Sequence, residues 1–240
     1  MSDFNQDQIA FFWVGKTVAA PSLLVKSILY IYKDEPPNIF HLTDQITPEI
    51  EGVTATIRQK LSKEIMVARL EAYRNFPYND KLTFFCDADS LLINKLKLIH
   101  LTDDIYLTLR KENAYVNSEG YPEFKNKTLI DVMPFLFGAM AFKNGERFFN
   151  DLLEICKKLP FRFHQWYGDQ YSLKLYYEKT KFKFSKLDIN KYLYITKSEI
   201  DVFEIMKLME NDVRVITFKG KGTNRYILST IKNIFRIKFK

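Results

Sequence analysis

Cysteine is scarce in this 240-residue chain: Cys86 and Cys156 lie far apart, and neither belongs to a CxxC. A disulfide scaffold and a paired-cysteine zinc site are thereby excluded, and a reducing compartment fits. Histidine is nearly as rare. His41, His100 and His164 show no HxxxH or HExxH spacing, so none is assigned to a metal or to catalysis. Glycine and proline number eight each while phenylalanine and tyrosine abound, which is the opposite of a disordered composition. There is no GxGxxG and no Walker A sequence, which removes the usual dinucleotide and P-loop sites. No internal repeat or low-complexity segment is visible. No apolar run is long enough to span a bilayer. The N-terminus, MSDFNQDQ, has no basic region of a secretory signal. The expected location is cytoplasmic.

What is present is apolar bulk and late positive charge. Hydrophobic residues make up 47% of the chain, enough for one large core. The net charge of +7 gathers in KFKFSK (181–186), KGKGTNR and the final IKNIFRIKFK. Such runs attend nucleic acid, an anionic membrane face or phosphate-bearing substrates, or simply form a solvated surface.

Periodicity sorts the first half into alternating elements. IAFFWVG (9–15) is a buried-strand signal. Pro21 and Ser22 open a helical pattern with Leu24, Ile28 and Ile31 on one face. NIFHL (38–42) and VTATIR (53–58) follow as strands, then a helix with Met66, Leu70 and Tyr73 on one face, then LTFFC (82–86). Continuously apolar strands between amphipathic helices predict a parallel sheet covered on both faces. In the second half, FLFGAMAF (135–142) predicts a strand and 145–158 a helix. WYGDQYSLKLYYEK (166–179) is a loop entering a helix, and KYLYIT (191–196) and VRVITF (213–218) are the last strands. The fold class is α/β, Rossmann-like in a broad sense. No linker divides the chain, so a single domain is expected over 1–240: a first half (about 9–95), a second half (about 96–228) and a basic tail (229–240).

FFCDADSLL (84–92) delivers two aspartates, Asp87 and Asp89, to the carboxyl end of an apolar strand. That is where open α/β sheets bind ligands. Two carboxylates so close repel one another unless a cation joins them. Oxygen ligands suit Mg²⁺ or Mn²⁺, which usually hold substrate phosphates as well. The plainer account is a strand end followed by a turn, where aspartate is at home.

At these residues the chain resembles the nucleotide-sugar glycosyltransferases of the GT-A fold, a mixed, mostly parallel sheet flanked by helices. It is similar to the family-eight lipopolysaccharide glucosyl- and galactosyltransferases and to glycogenin. The resemblance covers about residues 9 to 226. IAFFWVGK resembles the first strand and nucleotide loop, which implies donor contacts at Val14 and Gly15. HLTD (41–44) resembles the second strand, whose acid, here Asp44, meets the nucleoside. MVARLEAYRNF resembles the helix that sends a basic residue, Arg69, to the donor. FFCDADSLLI resembles the strand in which Asp87 and Asp89 hold the metal, with Ala88 between them. FGAMAF (137–142) resembles the sugar-pocket strand. WYGDQYSL resembles the segment near the acceptor, implying catalytic roles for Asp169 and Gln170, with Trp166 and Tyr167 stacking on a sugar. VITFKGKGTNR resembles the loop over the diphosphate, with Lys219, Gly220 and Lys221. Three departures stand out: Thr217 sits where a metal-binding histidine is usual, no Lys-Pro-Trp follows, and Tyr171 replaces a second acid.

The resemblance implies transfer of a hexose from a nucleoside diphosphate, UDP by default, with Mn²⁺ or Mg²⁺ as cofactor. The acceptor would be a glycan or lipid-linked saccharide in lipopolysaccharide or surface-glycan synthesis. The basic, aromatic tail is expected to touch an anionic inner-membrane face, or else to pack as a final helix or strand. Each site residue also has a plain reading: Asp169 as a helix cap, Trp166 and Tyr167 as packing, FKGKG as an exposed turn, and Met66, Met133 and Met140 as core filler. A haloacid-dehalogenase-type phosphatase also places DxD after an apolar strand. It expects that motif near the N-terminus and a Thr or Val where Leu91 stands. A nucleotidyltransferase expects a loop richer in glycine and basic residues than VGKTVAAPS. A nucleic-acid module has the charge but no RRM, KH or helix-turn-helix signature, so no nucleic acid is expected.

Overall fold

The structure is a computed structural model that describes residues 7–33, 35–111, 113–220 and 223–237. Among these, seven strands form the larger sheet in the order β3-β2-β1-β4-β7-β6-β8. They are β1 (Gln8–Phe12), β2 (Asn38–Thr43), β3 (Ala55–Arg58), β4 (Thr83–Asp87), β6 (Ile105–Leu109), β7 (Phe135–Phe142) and β8 (Ser185–Leu187). Every neighbouring pair is parallel except the two made by β7, which runs against both β4 and β6. A smaller sheet joins β5 (Ser90–Leu92), β10 (Val215–Phe218) and β9 (Tyr194–Thr196) in the order β5-β10-β9. Strands from the two halves of the chain thus pair within one sheet.

The central strands are apolar throughout because both of their faces are covered. Ile9, Phe11, Phe84 and Cys86 point to α1 (Ala19–Tyr32), where Leu24, Val25 and Ile28 meet them. Ala10, Phe12 and Phe85 point the other way, to α2 (Ile65–Arg74) and α4 (Glu146–Lys158), against Leu70, Tyr73 and Phe149. Helix α1 begins at Ala19, two residues before the expected Pro21. Pro21 falls in the first turn, where its absent N–H costs nothing. The remaining helices are α3 (Leu129–Val132), α5 (Phe161–Gln165), α6 (Gly168–Thr180), α7 (Ile189–Tyr192), α8 (Val202–Glu210) and α9 (Thr223–Ile234).

One expectation is corrected. The strand expected over 191–196 starts only at Tyr194. The Asp188 carboxylate caps the preceding turn by accepting from Asn190 N at 3.0 Å, so 191 and 192 close α7 instead. The tail was expected either to touch a membrane face or to pack as a final helix or strand, and as far as Ile237 it packs. Ile231 and Ile234 are buried on α9, and Phe235 packs on Tyr30 at 4.7 Å. The Tyr30 hydroxyl also donates to Ile237 O at 2.8 Å.

The connection between β6 and β7 is closed at its base by Arg110 N donating to Pro134 O at 2.8 Å. It carries its own core, where Val116, Phe124, Val132 and Met133 pack with Phe163 of α5.

Arg214 fastens the small sheet to its surroundings. Its guanidinium donates to Leu96 O at 2.5 Å, to the Tyr192 hydroxyl and to Asp212 at 2.8 Å, and it lies over the Tyr192 ring at 4.5 Å. Arg214→Met is expected to lower stability by about 1.5–3 kcal/mol, the scale of hydrogen bonds made by a charged group. Urea unfolding measures this, and an unchanged midpoint would remove Arg214 from that role.

Candidate functional site

Strand β4 ends at Asp87, and the chain turns at Ala88 and Asp89 before β5. Backbone bonds fix what stands beside this turn. Phe218 N donates to Asp89 O at 3.2 Å, and Lys219 N donates to Thr196 O at 2.9 Å. The end of β10 is therefore held against the turn, and the Lys219 side chain rises next to both acids. Its ammonium donates to Asp87 Oδ2 at 2.8 Å and stands 3.4 Å from each Asp89 oxygen. Thr217, two residues earlier on the same face, donates to Asp89 Oδ1 at 3.4 Å.

Helix α2 approaches from the other side. Arg69 donates to Asp87 Oδ1 at 3.1 Å and forms a second ion pair with Asp169 on α6. Its guanidinium lies over the Phe137 ring at 5.4 Å. Asp169 is fully buried, and its other oxygen accepts from Gln170 N at 2.7 Å. The Gln170 side chain accepts from Arg110 at 3.0 Å. Gly138 on β7 leaves the room this needs. A Cβ there would sit 2.7 Å from Asp87 Oδ2.

The charges set the protonation. Burial pushes the Asp87 carboxyl up, but Lys219 and Arg69 outweigh it and hold it below the usual range. Asp89 is pushed up, first by burial and then by the Asp87 charge. Burial pulls Lys219 down, yet Asp87 and Asp89 raise it above the ordinary lysine value. All of these groups line one cavity of about 780 Å³, together with Trp13, Val14, Gly220 and Lys197. Its cationic side chains are Arg69, Arg110, Lys197 and Lys219, and its anionic ones are Asp87, Asp89 and Asp169, so the wall carries one net positive charge.

No protein-family model matches the sequence, and no curated protein matches it. Solved structures do. The galactosyltransferase LgtC, in complex with donor and acceptor sugar analogs, aligns over 94% of this chain and 96% of its own, at 13% identity and a TM-score of 0.59. The bifunctional glycosyltransferase WbbM aligns over 98% of this chain and 52% of its own, at 12% identity and a TM-score of 0.56. A glycosyltransferase involved in glycosylation of the major capsid of PBCV-1 aligns over 96% of this chain and all of its own, at 12% identity and a TM-score of 0.53. The chain has the GT-A fold.

Within this GT-A fold most of the expected site residues meet. Val14, Arg69, Asp87, Ala88, Asp89, Trp166, Tyr167, Asp169, Gln170, Lys219 and Gly220 all border the cavity. Asp44 and Gly15 do not. Asp44 Oδ1 instead accepts from Ile46 N at 3.1 Å and Thr47 N at 2.8 Å, and the Thr47 hydroxyl in turn accepts from Gly15 N at 3.0 Å. These residues brace the loop beside the cavity rather than line it. Lys221 lies outside the described residues. Asp169 is no helix cap, since Tyr167 holds that position. Met66 was expected only as core filler and is both buried and part of the wall. Sequence reasoning missed Trp13, Arg110, Gly138 and Lys197. Of these, only Trp13 and Gly138 fall inside segments, IAFFWVGK and FGAMAF, that already pointed to the site. His41 is structural: it is buried, stacked on Phe11 at 5.1 Å and bonded to Trp13 O at 3.1 Å.

The divalent ion implied by the resemblance does not fit these side chains. The space between Asp87 and Asp89 holds the Lys219 ammonium, and the other Asp87 oxygen holds Arg69. The third position is a neutral threonine hydroxyl. Among the described residues no group of three or more His, Cys, Asp or Glu stands ready to hold a metal.

Proposed function

We propose that this chain transfers a sugar from a nucleoside diphosphate to an acceptor hydroxyl. The observation that carries this reading is the convergence of Arg69, Asp87, Asp89, Asp169 and Lys219 in one cavity at the carboxyl end of β4. A cavity of about 780 Å³ is within the range that encloses a ligand of this size. The GT-A fold favours sugar transfer over the phosphatase, nucleotidyltransferase and nucleic-acid readings.

Trp13 and Val14 flank the nucleoside, while Lys219 and Gly220 face the diphosphate. In the reaction the acceptor oxygen bonds to the anomeric carbon. The bond from that carbon to the diphosphate breaks, and its electron pair stays on the diphosphate. Negative charge grows there, and fixed cations stabilise it. Both oxygens of Asp169 are engaged, so it holds Arg69 in place and does not serve as the base. The acceptor proton passes to the departing diphosphate. Gln170 orients the sugar, and Trp166, which is 59% exposed, stacks on the acceptor with Tyr167.

UDP-sugars are the first donors to try, and a glycan or lipid-linked saccharide the first acceptor class, as in surface-glycan or lipopolysaccharide synthesis. No helix among the described residues is long and apolar enough to cross a membrane. Exposed Leu228 and Phe235, beside Lys232 and Arg236 in the sequence, suit peripheral contact with an anionic, cytoplasmic membrane face.

The test is thermal unfolding with a panel of nucleoside diphosphates, with nucleosides alone as controls. One diphosphate at 100 times its Kd is expected to stabilise by about 2.7 kcal/mol. The protein is also expected to release that diphosphate from the matching sugar donor. If no diphosphate stabilises the protein, the reading fails.

A further inference from the structure

We propose that the Lys219 ammonium takes the place of the divalent metal ion at the Asp87–Asp89 pair, so that this chain binds its diphosphate without metal. The inference rests on the cavity being a nucleoside-diphosphate site, and it departs from what the fold implies.

Four observations carry it. The ammonium lies between the two carboxylates, 2.8 Å from Asp87 and 3.4 Å from Asp89. Its root is fixed, because Phe218 N and Lys219 N are bonded to Asp89 O and Thr196 O. The lysine therefore does not reach this spot merely through a long, free side chain. The Asp87 oxygen that it meets is the one facing Gly138, where any side chain would intrude. The residue at the usual third ligand position, Thr217, is a neutral hydroxyl that bonds to Asp89. A divalent ion bound to the same oxygens would lie within bond-length reach of the ammonium, and like charges do not share such a space.

An ammonium supplies one charge where the ion would supply two. Arg69, Arg110 and Lys197 on the same wall make up the difference for a bound diphosphate. When the carbon–oxygen bond of the donor breaks, its electron pair goes to the diphosphate oxygen, and Lys219 donates a hydrogen bond there. No proton need leave the lysine. Three donors on one flexible stem let it keep Asp87 while it turns to the phosphate.

The experiment uses two readouts on the wild type and on Lys219→Ala. The first is Mn²⁺ uptake, followed by loss of the sharp paramagnetic resonance spectrum of aqueous Mn²⁺, with no nucleotide present. The second is nucleoside-diphosphate affinity in EDTA and in Mn²⁺. The wild type is expected to leave the Mn²⁺ spectrum intact, whereas Lys219→Ala, with the space vacated between two carboxylates, binds the ion. Wild-type affinity is expected to be equal in EDTA and Mn²⁺. Lys219→Ala is expected to lose about 10- to 100-fold in EDTA, the worth of one charge-assisted hydrogen bond, and to regain affinity in Mn²⁺.

Mn²⁺ uptake by the wild type overturns the proposal, and so does wild-type affinity that collapses in EDTA. Failure of both proteins to bind Mn²⁺ overturns it too, because the carboxylate pair is then no cation site. If no diphosphate binds either protein under any condition, it is the sugar-transfer reading that has failed. The Mn²⁺ spectra then decide the place of the lysine alone.

Discussion

Arg69→Met is expected to lower the unfolding free energy by about 3–5 kcal/mol, the cost of leaving a buried charge without its partner. In a chain of this length that corresponds to a fall in melting temperature of about 6–20 °C. The cause is Asp169 rather than Asp87. Asp87 keeps Lys219 when the arginine goes. Asp169 has no exposed surface and loses its ion-pair partner, retaining only the backbone bond from Gln170 N. The double variant Arg69→Met/Asp169→Asn removes the stranded charge along with its partner, so most of the stability returns. A double-mutant cycle in thermal unfolding measures the coupling. A single variant within about 0.5 kcal/mol of the wild type, where ordinary surface substitutions fall, would show that Asp169 does not depend on Arg69.

Gly138→Ala is expected to lower kcat/KM for donor turnover about 100-fold, the penalty for shifting a catalytic group by about 1 Å. The new methyl carbon would stand 2.7 Å from Asp87 Oδ2 and 3.1 Å from its Cγ. The carboxylate has to move, and Lys219 bonds to that same oxygen. Folding should hardly change, since alanine in a strand interior is favoured over glycine by roughly 0.5–1 kcal/mol. Release of nucleoside diphosphate from the donor follows the rate, and the melting temperature follows the fold. Full activity in a well-folded variant would mean that the position of Asp87 does not matter.

The elements that sequence reasoning found are those with long, unbroken patterns. Helix α1 showed itself through Leu24, Ile28 and Ile31, and strands β1, β4 and β7 through apolar runs that only two-sided burial explains. The direction of β7 was not legible. FLFGAMAF is equally apolar whichever way it runs, and its reversal is decided by where β6 leaves the chain. Strands β5, β8 and β9 have three residues each, too few for any period to register. Strand β9 was further hidden by the cap at Asp188, which turned the front of KYLYIT into helix.

The acids of the site were legible because they interrupt apolar sequence. Their partners were less so. Arg110 follows a strand the sequence reading did not place, and its link to Gln170 spans sixty positions. Asp44 is held beside the cavity rather than in its wall because a carboxylate two and three residues before backbone N–H groups finds bonds locally. Lys219 was placed at the diphosphate by the resemblance alone. That it lies between Asp87 and Asp89 depends on the pairing of β10 with β5, which no local pattern announces.

The closed base of the β6–β7 connection makes that segment a cassette. Arg110 and Pro134 are tied to each other, and Val116, Phe124, Val132 and Met133 between them pack on one another, on Phe163 of α5 and on Tyr171 of α6. A replacement of different length or chemistry could be spliced between these two residues without re-registering the sheet that carries Asp87 and Gly138. Exchange there would reach the cavity through Tyr167, against which Tyr121 and Phe124 pack, and would leave the charged floor intact, an economical route by which one scaffold could come to serve many acceptors.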